Sequence, residues 1–168
     1  MVHADQDKTR TDVMRLVPLV AREGRRIAEV FAEHHGLHVT DVEALSCIIR
    51  AEAQHTPVTA GVLGSELGLT SGATTFLMTR LERAGLIERT RDPHDQRRVQ
   101  LSLSAAGREL AAAIHPPFND ASMAVMGEFT ALELETVRRF LTATTTAMTA
   151  YRTSLSTSGS NRLHRSSD

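Results

Sequence analysis

The chain has 168 residues, 41% of them hydrophobic and 23% charged, which suits one domain with its own core and argues against disorder throughout. Nineteen basic and twenty acidic side chains give a formal net charge of −1, so the composition lacks the positive excess common in nucleic-acid-binding proteins. The single cysteine, Cys47, excludes an internal disulfide and a Cys-x-x-Cys zinc site. The polar start of the chain and the lack of a long apolar run predict a cytoplasmic protein with no membrane segment.

The N-terminal part of the chain has the pattern of two helices. Apolar residues recur every three or four positions over 10–35, which is typical of a long amphipathic helix. Pro18 lies inside this segment, so the regular helix either begins near the proline or kinks there. Thr40 and Glu43 have capping-box spacing, and a second helix is therefore predicted over about 41–53.

Two shorter helices are predicted next, joined by a tight turn. Thr59 can cap the first of them, which Gly68 ends. Thr70 or Ser71 can cap the second, which ends at Gly85. Two helices that meet across a short, glycine-containing turn are typical of a helix-turn-helix.

After these helices the apolar period changes from 3.6 to 2, which indicates strands. Segments 86–90 and 99–103 are predicted to pair as a β-hairpin, with the polar segment 91–98 as its tip. The order helix, helix, turn, helix and hairpin predicts a winged helix-turn-helix domain over 40–107. The expected fold class is mostly α, with a small β-hairpin wing.

The remaining segments are predicted to be helical, with disordered ends. Ser104 can cap a helix that Pro116 and Pro117 interrupt or bend, and the capping-box spacing of 130–133 opens a last helix. Residues 1–9 and 154–168 have little to bury and are predicted to be disordered.

The apolar stripes outside the winged helix need a partner surface. Segments 10–36 and 108–151 carry these stripes, and a small winged helix cannot cover all of them. These segments are therefore predicted to form a helical dimerisation region.

Three segments carry motifs in a fixed order. They are 67–75 (LGLTSGATT), 81–89 (LERAGLIER), and 92–107, which contains DPHDQRRV followed by LSLSAAG. Together they resemble the MarR family of bacterial transcriptional regulators. The resemblance implies a homodimer that binds a pseudo-palindromic DNA operator, acts as a repressor and responds to a small-molecule ligand.

The exposed face of the fourth helix determines which DNA bases the protein can recognise, because the major groove of DNA is wide enough for one helix. Thr74, Leu77, Met78 and Leu81 form its expected buried face. The residues predicted to contact DNA are Ser71, Gly72, Thr75, Phe76, Thr79 and Arg80. Hydroxyl groups near the helix N-terminus can donate to phosphates or base edges. Phe76 can contact a thymine methyl or a sugar, or it can pack against a neighbouring helix.

The predicted wing concentrates positive charge, with four arginines and two aspartates over 89–98. Asp95 and Arg97 are two residues apart, so the carboxylate can orient the guanidinium along an extended strand. The resemblance implies that Arg97 enters the minor groove. Phosphate contacts are predicted for Arg89, Arg91 and Arg98. The alternative for all of these residues is a solvated hairpin surface.

Histidines and one cysteine are the residues that could sense a metal or an oxidant. His34, His35 and His38 lie close in sequence, but no spacing brings all three to one side, so no metal site is predicted. Cys47 lies among apolar residues of the second helix, and a buried, inert thiol is favoured over a redox switch.

A small-molecule effector pocket is a further expectation from the resemblance. Its candidate residues are Arg25, His38, Arg50 and His115, for an aromatic or phenolic ligand. The sequence has no Gly-rich phosphate loop, His-Glu-x-x-His or Gly-x-Ser-x-Gly motif, so neither enzymatic activity nor a cofactor is predicted. The alternative functions are a winged-helix protein-interaction module, or a metal-sensing or redox-sensing version of the same regulator.

Overall fold

The computed structural model describes the backbone of residues 2–91 and 99–163, and the side chains of 7–90, 99–113 and 118–155. Over these ranges the elements are α1 (Val2–His35), α2 (Val39–Ala53), β1 (Val58–Thr59), α3 (Ala60–Leu67), α4 (Ser71–Arg83), β2 (Ile87–Arg91), β3 (Val99–Leu103), α5 (Ala105–Met126) and α6 (Ala131–Leu163). The predicted fold class, mostly α with a small β wing, is confirmed. Among the described helices, none is sufficiently long and apolar to cross a membrane.

The chain divides into two compact units, Met1–Pro116 and Pro117–Asp168. The first unit contains α1 together with the winged helix-turn-helix, and the boundary falls inside α5. The dimerisation region expected at 10–36 and 108–151 stays a prediction.

The sheet has three antiparallel strands in the order β1-β3-β2. The hairpin of β2 and β3 agrees with the sequence, but the third strand was not expected. Val58 pairs with Leu101, and its side chain is buried in the core. A strand of two residues is too short to show a periodic pattern, which explains why the sequence did not indicate it.

A hydrophobic core packs against one face of α4. Its buried residues come from α2, α3, α4 and the sheet, and include Leu45, Ile48, Leu63, Leu81 and Leu103. The four residues predicted to form the inner face of α4 are all buried, which confirms that face. The opposite face of α4 is therefore the one available to a ligand.

The start of α2 differs from the predicted one. The N–H of His38 donates to Asp41 Oδ2 at 2.9 Å, and α2 begins at Val39. The predicted capping box of Thr40 with Glu43 is therefore wrong, because the helix starts one residue before Thr40.

The N-cap of α5 and the capping box of α6 agree with the sequence. Ser104 Oγ accepts from the N–H of Gly107 at 3.0 Å, so the predicted cap of α5 is confirmed. Thr130 donates to Glu133 Oε2 through its hydroxyl at 2.7 Å and its N–H at 2.8 Å, which confirms the box at α6. These hydrogen bonds from Thr130 lower the pKa of Glu133.

The helices are longer than the sequence suggested. Helical backbone passes through Pro18 in α1 and through Pro116 and Pro117 in α5. The alternatives of a helix start near Pro18 and of an interruption at Pro116 and Pro117 are therefore wrong, although each proline still removes one N–H donor from its helix.

The described backbone is also helical from Val2 and as far as Leu163, in end segments expected to be disordered. Local side-chain contacts occur next to these ends. They include an ion pair of 3.2 Å between Arg10 and Asp7, and a hydrogen bond from the Thr153 hydroxyl to the Thr149 carbonyl.

Candidate nucleic-acid interface

The turn between α3 and α4 brings the two helices into close contact. Gly68 ends α3 in the left-handed conformation, with φ of 66°, and Thr70 Oγ1 accepts from the N–H of Ala73 to cap α4. A Cβ on Gly64 would lie 2.7 Å from Thr74 Oγ1. Glycine at position 64 therefore lets α3 pack tightly against α4, which fixes the direction in which α4 projects.

The outer face of α4 presents most of the residues predicted to contact DNA. Ser71, Gly72, Thr75 and Phe76 are exposed, whereas Thr79 and Arg80 are partly covered. The Thr75 hydroxyl donates to the Ser71 carbonyl and the Thr79 hydroxyl to the Thr75 carbonyl, each at 2.9 Å. Both threonine oxygens can still accept a hydrogen bond, so in this state they match base amino groups better than phosphates.

Arg80 connects α4 to the start of α2. Its Nε and Nη2 donate to Asp41 Oδ1 at 2.9 and 2.6 Å, and Nη2 also donates to Thr40 Oγ1 at 3.2 Å. The Asp41 side chain is 2% exposed and that of Arg80 is 29% exposed. Arg80 thus has an internal partner, a role that the sequence did not suggest because 39 residues separate it from Asp41.

Phe76 projects from the same face and contacts Arg80. The guanidinium carbon of Arg80 lies 5.5 Å from the centroid of the Phe76 ring, within the range of a cation–π interaction. The Phe76 side chain is nevertheless 68% exposed. Most of the ring is therefore open to a binding partner, and among the described residues Arg80 is the one recorded over it.

Arg83 is an exposed cation on α4 that sequence reasoning missed. It lies seven residues after Phe76 and four after Thr79, on the outer face of the helix. Within the part of the chain whose side chains are described, it forms no hydrogen bond or ion pair. The helical spacing alone could have indicated it.

The wing residues are only partly described. Arg89 Nη2 pairs with Glu82 Oε2 of α4 at 2.7 Å, and both side chains are about one-third exposed. Arg91 ends β2, but its side chain lies outside the described residues, as do Asp95, Arg97 and Arg98 altogether. Their assignment to DNA contacts stays a prediction.

Two of the four candidate effector residues meet in one cavity. Arg25 and Arg50 line a space of about 620 Å³ bounded by α1, α2 and α3. Arg25 Nε already pairs with Glu29 at 3.0 Å, and Arg50 Nη2 with Glu66 at 2.9 Å.

The other two candidate effector residues do not join them. His38 is the N-cap of α2 and does not line this cavity. The side chain of His115 lies outside the described residues.

Cys47 lines the same cavity but is itself buried. Burial raises the pKa of its thiol, against the opposing effect of the nearby Arg50 guanidinium. A raised pKa leaves less of the reactive thiolate at neutral pH, so the surroundings of Cys47 disfavour redox sensing.

The histidines of α1 pack against each other and against an aromatic ring. The ring centroids of His34 and His35 are 5.1 Å apart, and those of Phe31 and His35 are 4.3 Å apart. No cluster of three or more His, Cys, Asp or Glu side chains suited to a metal ion occurs in the described parts of the chain.

Comparison with known proteins identifies relatives of one kind. A family model described as "MarR family" matches residues 35–98. The chain is 34% identical over 110 residues to the uncharacterized HTH-type transcriptional regulator YcgE of Bacillus subtilis, a match that covers 66% of this chain and 69% of YcgE.

Solved structures of the S. aureus protein MepR share the fold. MepR in its DNA-binding conformation has a TM-score of 0.66 and 21% identity, over 81% of this chain and 98% of that one. A MepR–DNA complex has a TM-score of 0.52 and 21% identity, over 78% of this chain and 96% of that one.

Proposed function

Since the chain belongs to the MarR family of transcriptional regulators, we propose that it is a ligand-responsive repressor that binds a pseudo-palindromic operator as a homodimer. The observation that carries this proposal is the outer face of α4, which is largely exposed and presents hydroxyl groups, a phenyl ring and a guanidinium, while its inner face is buried in the core. In each protomer α4 enters a major groove, and the two helices are about 34 Å apart along the duplex. The wing contacts the adjacent minor groove through Arg97, with Asp95 orienting it. MepR, which shares this fold, has been solved as a complex with DNA, and this supports DNA binding by the present chain.

The exposed apolar side chains of α6 support the homodimer. They recur with helical spacing along one stripe, which we call the α6 stripe: Val137, Phe140, Leu141, Met148, Tyr151 and Leu155. A monomer in water gains nothing by exposing such a row, whereas a second copy of the same helix can cover it under two-fold symmetry.

A charge in the α6 stripe should dissociate the dimer. Leu141→Glu places a carboxylate where the partner is expected to pack, and we expect the dimer dissociation constant to rise at least about a hundredfold. Sedimentation equilibrium measures this change. Thr146→Glu adds the same charge on the opposite side of α6 and should leave the dimer intact. Equal dissociation constants for the two variants would argue against the stripe as the interface.

We place the effector in the cavity of Arg25 and Arg50. Each arginine already has a carboxylate partner, and Glu43 and Glu66 also line the space, so its charges are balanced. Such a cavity favours an uncharged phenolic ligand over an aromatic carboxylate. Since Glu66 belongs to α3, a ligand that separates it from Arg50 also disturbs the support of α4.

Operator binding as a function of salt tests the proposed function. We expect the affinity for operator DNA to fall steeply with salt, with a slope of about 0.9 per phosphate neutralised, and to fall about tenfold in Arg97→Ala. Arg10→Ala removes the same charge from α1 and should have little effect. Phenol should weaken operator binding and benzoate should not. Affinity independent of salt would favour a winged-helix protein-interaction module.

A further inference from the structure

We propose that Phe76 reads the 5-methyl group of a thymine in the major groove, so that each half of the operator requires a thymine at one position. This inference rests on the DNA binding proposed above and names the base chemistry of that site. Phe76 is aromatic, and it occupies a position where a polar side chain that hydrogen-bonds to base edges would usually be expected.

The position of Phe76 makes its ring the most prominent apolar group on the outer face of α4. On this face Gly72 precedes it by four residues and Thr79 follows it by three, and both are small, while Arg80 follows it by four. Phe76 is 68% exposed, although Leu77 and Met78 beside it are buried. The ring is therefore well placed to contact a ligand that approaches this face.

A chain of contacts restrains the ring before any DNA is bound. Arg80 stacks on Phe76, and Arg80 is itself held by two hydrogen bonds to the buried carboxylate of Asp41. We call this set the Asp41–Arg80–Phe76 stack. The guanidinium carbon lies 5.5 Å from the centre of the ring, and Phe76 remains 68% exposed. A side chain that is already oriented loses less conformational freedom when it binds.

The chemistry of the groove selects thymine as the partner of such a ring. A phenyl group has neither a hydrogen-bond donor nor an acceptor, so a base amino group, carbonyl or N7 pressed against it would lose its water without replacement. The thymine methyl is the apolar group that the base edges offer in the major groove. Phe76 therefore favours thymine over the other three bases.

Deoxyuridine substitution tests this inference, because it removes only the methyl group. Duplexes that bind the protein are first selected from a random-sequence library, and each thymine of the selected sequence is then replaced in turn by deoxyuridine. We expect one symmetric position at which replacement weakens binding about fourfold in one half-site and about fifteenfold in both, the effect of leaving one or two methyl groups unburied. In Phe76→Ala the thymine and deoxyuridine duplexes should bind equally at that position.

The control variant is Phe76→Leu, which keeps a smaller apolar side chain and should retain most of the difference at a measurable affinity. Sedimentation of Phe76→Ala should show an unchanged dimer, and dissociation would instead place the ring in a contact between copies and overturn the inference. If the selected DNA binds but no thymine can be found whose methyl group affects the affinity, the inference is overturned and DNA binding still stands. The same holds if Phe76→Ala responds to deoxyuridine as strongly as the unmodified protein does. Failure to enrich any sequence overturns both.

Discussion

Replacing Arg80 with alanine should lower the free energy of unfolding by about 3–5 kcal/mol, a large share of the stability of a domain of this size. The reason is that the carboxylate of Asp41, whose side chain is 2% exposed, would lose the guanidinium that donates two hydrogen bonds to it. The N–H of His38 would still donate to the carboxylate, but it cannot neutralise the charge. Urea denaturation followed by circular dichroism measures the change.

Arg83→Ala is the matched control for this variant. Arg83 is on the same helix and carries the same charge, but it is exposed, so its loss should change stability by less than about 0.5 kcal/mol. Replacing both members of the pair, with Asp41→Leu and Arg80→Met, should recover much of the lost stability because no unpaired charge remains buried. If Arg80→Ala were no less stable than Arg83→Ala, the ion pair would not contribute to the fold.

Replacing Gly107 with alanine should destabilise the fold by at least about 2 kcal/mol, even though alanine is the better helix former. A Cβ at this position would lie 2.0 Å from the carbonyl oxygen of Leu86, which is far closer than such atoms can approach. The same oxygen accepts from the N–H of Ser104 at 3.1 Å, so the backbone cannot move aside without losing that hydrogen bond. Thermal and urea unfolding should both report the loss.

Gly24→Ala provides the comparison, because nothing lies within 4 Å of the Cβ that it would add in the middle of α1. Alanine there should stabilise the protein by up to about 1 kcal/mol through helix propensity. Effects of the same sign at positions 24 and 107 would show that the contact with Leu86 does not control the outcome.

Features that depend on neighbouring residues could be predicted from the sequence. The buried face of α4 follows from its helical period, and the caps at Thr70, Ser104 and Thr130 follow from side chains within three residues of the groups that they satisfy. The wing hairpin was predictable for the same reason, since an alternating pattern persists over both β2 and β3.

Features that join distant parts of the chain left no such pattern. The ion pair of Arg80 with Asp41 could not be predicted because the two residues belong to different helices, and the DNA contact of Arg80 stays a prediction. The close approach of Gly107 to Leu86, and the meeting of Arg25 with Arg50 in one cavity, likewise depend on how elements pack.

Asp41 has a consequence for how the domain unfolds. One carboxylate accepts both from the first turn of α2 and from the side chain of Arg80 on α4. Fraying of α2 at its start therefore removes a restraint on α4, and loss of α4 in turn leaves that carboxylate without its guanidinium partner. We expect the two helices to open together in hydrogen exchange, so that the outer face of α4 is held as firmly as the core beneath it.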